Sequence, residues 1–143
     1  MNGEKELLNF VYQNSEMGAI SIEEIEEVTD DPSFLEELRR EKSAYLSINA
    51  AAKSAFERIG CDEKGLSALS KIRTYLMINM ETLTDKSTPH LAQMMFLGNN
   101  MGIADAKKNL RKYREVQSGE AFDLMNALCS MEEENAHRMK AFL

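Results

Sequence analysis

Apolar positions recur along this chain at steps of three and four residues, the spacing that stacks side chains on one face of an α-helix. One series runs Phe34, Leu38, Tyr45, Ile48, Ala52, Phe56 and Ile59. Another, near the C-terminus, runs Phe122, Met125, Cys129, Glu132, Ala136, Met139 and Leu143, with one carboxylate inside an otherwise apolar rhythm. The first segment gives Leu8, Val11, Ser15, Gly18, Ile22 and Ile25, apolar at both ends and small or polar in the middle. A shorter series holds Leu66, Leu69, Ile72, Leu76, Met80 and Leu83. From Leu91 to Ala106 apolar residues occupy more than one side, as in a helix that is central or covered by a second subunit. No stretch alternates with a period of two, so the pattern predicts an all-α chain.

Punctuation divides it. In Asp30-Asp31-Pro32-Ser33-Phe34, Asp31 is placed to cap a helix and Pro32 to take its first position, where the missing N–H costs nothing. Thr88-Pro89 repeats the pair ahead of His90-Leu91-Ala92. Gly60 ends one helix and Asp62 caps the next, and Ser118-Gly119-Glu120 does the same. Five helical segments result: about 4–28, 32–59, 63–84, 89–115 and 119–141. The four longer ones span roughly 35–42 Å and the third about 30 Å, lengths that pack as an aligned bundle. With the third helix returning the chain along the outside, the other four form a hairpin, a crossover and a second hairpin. A five-helix up-and-down bundle satisfies the same spacing.

The length of 143 residues fits a single domain, 1–143. With 43% hydrophobic and 29% charged residues the chain is not a disordered one. Its net charge of −7 offers duplex nucleic acid and anionic membranes no attraction. No apolar run approaches the ~20 residues of a membrane span. The opening MNGEKELL lacks the basic-then-apolar order of a signal peptide, and Cys61 and Cys129 stand apart as reduced thiols. A cytoplasmic protein with neither nucleic-acid nor membrane partner is expected. Charge is uneven: residues 1–41 carry −9 and residues 42–143 carry +2. Glu23, Glu24, Glu26 and Glu27 close the first helix; Lys107, Lys108, Arg111, Lys112 and Arg114 close the fourth. These are two solvated faces, or blocks that meet between subunits.

The stretch Asp31-Pro32-Ser33-Phe34-Leu35-Glu36-Glu37-Leu38-Arg39-Arg40-Glu41, continuing through Ala44 and Tyr45, resembles the ferritin-like superfamily, as does the helix order. In particular it is similar to rubrerythrin-type bundles and the small bacterial ferritin-like proteins. The final Met131-Glu132-Glu133-Glu134-Asn135-Ala136-His137-Arg138-Met139 looks like the last helix of a rubrerythrin. The resemblance implies a ferritin-like antiparallel four-helix bundle with a fifth, shorter crossover helix, in a bacterial protein that self-associates. Active members hold two irons with one Glu from each of two helices and a Glu-x-x-His from each of the other two. Here Glu134 and His137 match the last Glu-x-x-His, and Glu41 matches the glutamate of the other, but Ala44 stands where its histidine belongs. The inner face of the first helix offers Asn14, Ser15 and Gly18, and the fourth offers Gly98-Asn99-Asn100-Met101-Gly102 in place of a glutamate. Helical geometry also opposes the one literal motif. With Met125, Glu132, Ala136 and Met139 facing inward, Glu134 points about 180° and His137 about 120° from Met125. Glu132 is then the inner carboxylate, with Asn135 as its partner three residues on.

The expected function is therefore a non-catalytic, oligomeric structural or interaction module without a cofactor. An iron-binding or di-iron oxidoreductase using Glu41, Glu132, Glu134 and His137 is the alternative. A carrier with a small-ligand pocket near Gly98, Gly102 and Tyr45 is a further one. Gly98 and Gly102 lie one turn apart, and close approach of the first helix at Ser15 and Gly18 would compensate their cost. Lys42, Tyr45, Asn49 and Glu132 are expected to meet in a polar layer that fixes register, or as an acid–base site. The methionines at helical spacing are core filling.

Overall fold

The computed structural model describes residues 2–60, 79 and 83–143, and among these every regular element is helical. Helix α1 spans Asn2–Glu26, α2 Pro32–Ile59, α3 Thr88–Lys112 and α4 Glu120–Met139, followed by a 3-10 turn over Lys140–Phe142. Thus α3 and α4 are the fourth and fifth segments of the sequence pattern. The expected shorter helix over 63–84 lies almost wholly outside the described residues.

Local chemistry sets the boundaries. Asp31 accepts from the backbone N–H groups of Ser33 (3.1 Å) and Phe34 (3.3 Å), satisfying two donors that have no intrahelical partner. At the other end of α2, Gly60 takes the left-handed conformation (φ 71°) and its N–H reaches the carbonyls of Phe56 and Glu57. The Thr88 side chain does not cap α3: Ser87 is the cap residue, and the Thr88 hydroxyl donates to Asp31 Oδ2 at 2.7 Å. Helix α3 stops at Lys112, three residues short of the sequence expectation, because the chain turns at Tyr113 and Val116 N–H bonds to the Tyr113 carbonyl.

Side-chain pairs fix the directions. Lys42 bonds to Glu26 at one end of α1 and α2, and the Tyr12 and Phe56 rings meet edge to face at the other, so the two helices are antiparallel. Glu37 with Arg138, Tyr45 with Glu132, and Arg58 with Glu120 run α4 antiparallel to α2. The Thr88–Asp31 bond starts α3 at the same end as α2. Gly60 and Thr88 therefore lie at opposite ends of the bundle.

Most of the apolar rhythm read from the sequence lies inside, but Ile59 and Leu143, which end the α2 and α4 series, are exposed because they sit at or beyond the helix ends. Leu8, Val11, Ile22, Phe34, Leu38, Phe56, Met125, Leu128 and Met139 are all buried, each stabilising the fold by roughly 1.5–3 kcal/mol on the transfer scale. Helix α3, apolar on several sides in sequence, buries one stripe through Leu91, Met95, Asn99, Gly102 and Ala106. Its Leu97 and Met101 point outward, 54% and 68% exposed.

Candidate functional site

Midway along the bundle the apolar core is interrupted by a polar layer to which all four helices contribute. Glu132 of α4 keeps the inward phase of its apolar neighbours and is only 2% exposed. Its Oε1 accepts from Asn14 Nδ2 of α1 at 2.9 Å, and its Oε2 lies 2.7 Å from the Tyr45 hydroxyl of α2. Asn99 of α3 completes the layer, its Oδ1 3.1 Å from the same hydroxyl. Two glycines make room. A Cβ on Gly102 would lie 2.5 Å from the Glu132 carboxylate, and one on Gly18 would lie 2.5 Å from the Tyr45 ring. Among the described residues Gly98 meets nothing within 4 Å. The compensation expected for the α3 glycines thus exists at Gly102 alone, and it is a carboxylate rather than the α1 backbone.

Tyr45 has one hydroxyl proton and two acceptors. While Glu132 is ionised, the shorter contact gives that proton to the carboxylate. Once Glu132 is protonated, its own O–H donates to the phenol oxygen and Tyr45 donates to Asn99. Burial raises the Glu132 carboxyl; the bonds from Tyr45 and Asn14 pull it down and the Asp105 charge raises it again, leaving it at about 7. The Tyr45 hydroxyl is pushed well above its ordinary value by burial and by the Glu132 charge, and stays protonated. The layer therefore holds or yields one proton near neutrality.

A second polar group lies one turn away. Glu37 is 7% exposed, and burial opposes its ionisation. Bonds from Arg138 (2.8 Å), from the Glu41 carboxyl and from Arg40 (2.9 Å) outweigh that cost and hold Glu37 down at about 2. Arg40 also donates to Asn135 Oδ1 at 3.0 Å. Glu41 is fully buried, and as a carboxylate both of its oxygens would lack a donor. Burial first, then its bond to Glu37 and the Glu37 charge, push Glu41 far above the usual carboxylate range. It is a neutral carboxyl donating to an ionised neighbour.

Beside the mid-layer a cleft of about 230 Å³ opens between α1 and α3, with Tyr45 and Glu132 among its walls. Met17, Met94 and Met95 line it, with Gly98 and Asn99 on the α3 side and Glu24 on the α1 side. The pocket read from the sequence near Gly98 and Tyr45 is present; Gly102 is pressed against Glu132 and is not among its lining residues.

The iron ligands considered from sequence are not brought together. Glu41 and Glu132 are buried in different layers, whereas Glu134 and His137 are exposed on the outer face of α4, as the helical phase required. Ala44 is half-buried. Among the described residues no group of three or more His, Cys, Asp or Glu side chains is arranged to hold a metal ion. Two irons need bridging carboxylates with histidines completing each shell, and a layer of Asn14, Tyr45, Asn99 and one glutamate does not fit that requirement.

The expected layer of Lys42, Tyr45, Asn49 and Glu132 forms only in part. Tyr45 and Glu132 meet, but Asn49 bonds one turn away to Ser15 Oγ and the Tyr12 carbonyl, both at 3.1 Å. Lys42 turns outward to Glu26 at 2.7 Å, because a lysine beside the inner stripe reaches water more cheaply than it can be buried. The sequence reading missed Asn99, Glu24 and the Glu37–Arg138 pair. Glu37 was detectable, since it keeps the 34, 37, 41 phase of the buried stripe of α2. Asn99 lies in a Gly-Asn-Asn-Met-Gly run without an apolar rhythm to place it. Cys129 is buried, and burial together with Glu133 raises its thiol, which leaves it a poor nucleophile.

No helix among the described residues is long and apolar enough to cross a membrane. No family model, no curated protein and no solved structure matches this chain.

Proposed function

We propose that this chain is a non-catalytic ferritin-like bundle, in which a hydrogen-bonded polar layer stands where active members hold two irons. The helix directions support the reading: two antiparallel hairpins, with the second and third described helices starting at the same end, as a hairpin–crossover–hairpin chain requires. The observation that carries it is the saturation of Glu132 by Asn14 and Tyr45, with Gly102 packed on its carboxylate. A carboxylate engaged on both oxygens and walled on a third side has no free edge for a bridging metal. The exposed Leu97 and Met101 of α3 support self-association through that helix, and a structural or interaction role in a bacterial cytoplasm follows.

Anaerobic loading with ferrous iron followed by elemental analysis tests this directly. Less than about a tenth of an equivalent per chain is expected, since the layer lacks the four carboxylates and two histidines of a di-iron site. Near two irons per chain, lost in Glu132→Ala, would restore the oxidoreductase. Sedimentation of wild type and Leu97→Lys tests the self-association: a dimer or larger species for the first and a monomer for the second.

A further inference from the structure

We propose that the cleft between α1 and α3 is a binding site for a small organic cation, an ammonium group carried on a short apolar body. Glu24 lines the cleft, is only 8% exposed, and has no hydrogen bond or ion pair among the described residues. Its carboxylate lines the cleft without a charge partner, and a cation is the ligand charge it attracts. Among the described residues the wall offers none, since no Lys, Arg or His is in its lining. Glu24 also sits in the last turn of α1, which carries no basic residue, so the helix end adds its own negative potential. Glu132, already engaged by Asn14 and Tyr45, closes the inner end of the cleft.

The remaining lining selects the body of the ligand. Met17, Ile25, Met94 and Met95 give a soft apolar wall, and the Tyr45 ring offers a face of the kind that attracts ammonium groups. Among the described residues no three His, Cys, Asp or Glu side chains are grouped to hold a metal ion, which leaves an organic cation as the better match to a mostly apolar wall. Asn99 Nδ2, in a side chain 2% exposed, has no partner and supplies a donor for a polar group on the ligand. At Gly98 no described residue lies within 4 Å of where a Cβ would be, which leaves room for the body of the ligand.

The test uses three probes of one shape: benzylammonium, benzyl alcohol and benzoate, titrated at pH 8 into full-length protein carrying labelled methionine methyl groups. Benzylammonium should shift the Met17, Met94 and Met95 signals and bind at least about tenfold more tightly than benzyl alcohol, the discrimination an ion pair of about 1.4 kcal/mol supplies. Benzoate should not bind. Glu24→Gln, which keeps shape and removes charge, should erase the preference for the ammonium. Gly98→Leu should abolish binding of the ammonium and the alcohol while retaining the helical circular dichroism of wild type. Equal affinity for the ammonium and the alcohol, a preference that survives Glu24→Gln, or no binding up to about 10 mM (a free energy near −3 kcal/mol) would each overturn the proposal. Because the probe carries no metal and the readout is binding, this test can fail while the ferrous-loading result stands, and the reverse.

Discussion

At the scale of single residues, neighbouring positions on one helix turn have opposite consequences. Glu132 is buried and bonded from two helices, while Glu134 and His137 face solvent. Truncating Glu132 to Ala strands the Asn14 amide, leaves the Tyr45 hydroxyl with Asn99 alone and empties a buried side-chain volume, and a loss of about 2–4 kcal/mol is expected in urea unfolding. Glu134→Ala and His137→Ala should each change stability by less than about 0.5 kcal/mol in the same assay. A larger cost at the outer pair would reverse the assignment of the inner face. Proton linkage gives a second test. The Glu132 carboxyl rises from 4.5 to about 7 on folding, so between those values the folded chain holds a proton that the unfolded chain has released. Stability from this group is complete below pH 4.5 and is lost as pH climbs through about 7, a fall of about 3 kcal/mol at most. Glu37, lowered to about 2, acts in the opposite sense and loses its contribution as pH falls from 4.5 towards 2. Glu132→Gln should flatten the decline between pH 5 and pH 8 relative to wild type; an unchanged slope would mean that Glu132 is ionised throughout.

At the scale of elements, boundaries and buried faces were more legible than the contents of the polar layers. Asp31-Pro32 and Gly60 bracket α2 as their cap chemistry requires, and the apolar series of α1, α2 and α4 lie in the core except for Ile59 and Leu143 at their ends. Legibility ended where two side chains compete for the same few ångströms. Periodicity places Lys42 and Asn49 near the inner stripe, but whether each reaches Glu132, water or a carbonyl depends on side-chain length and on groups from other helices. The α3 glycines show the same limit, since both share a turn and a sequence context. Gly98 faces open space, so Gly98→Ala should stabilise the protein by about 0.5–1 kcal/mol through helix propensity alone. Gly102→Ala should destabilise it, because its Cβ collides with the Glu132 carboxylate. Thermal unfolding of the two variants checks the opposite signs.

At the scale of the whole molecule, the described helices form one bundle with a carboxylate-bearing interior and no arrangement among them suited to a metal. Segment lengths and short connections allowed a hairpin–crossover–hairpin order or a five-helix up-and-down bundle, and the Thr88–Asp31 bond, which starts α2 and α3 at one end, is compatible with both. What the sequence alone left open was the fate of the interior. The inward carboxylate of α4 is equally the residue of a lost metal site and the centre of a hydrogen-bonded layer, and in the structure Asn14 and Tyr45 are bonded to it. The most direct measurement is a carbon-13 NMR titration of the Glu132 side-chain carboxyl, with and without ferrous iron under anaerobic conditions. The account expects a midpoint near 7, unchanged and unbroadened by iron. A midpoint in the ordinary carboxylate range, or a signal erased by stoichiometric iron, would contradict it.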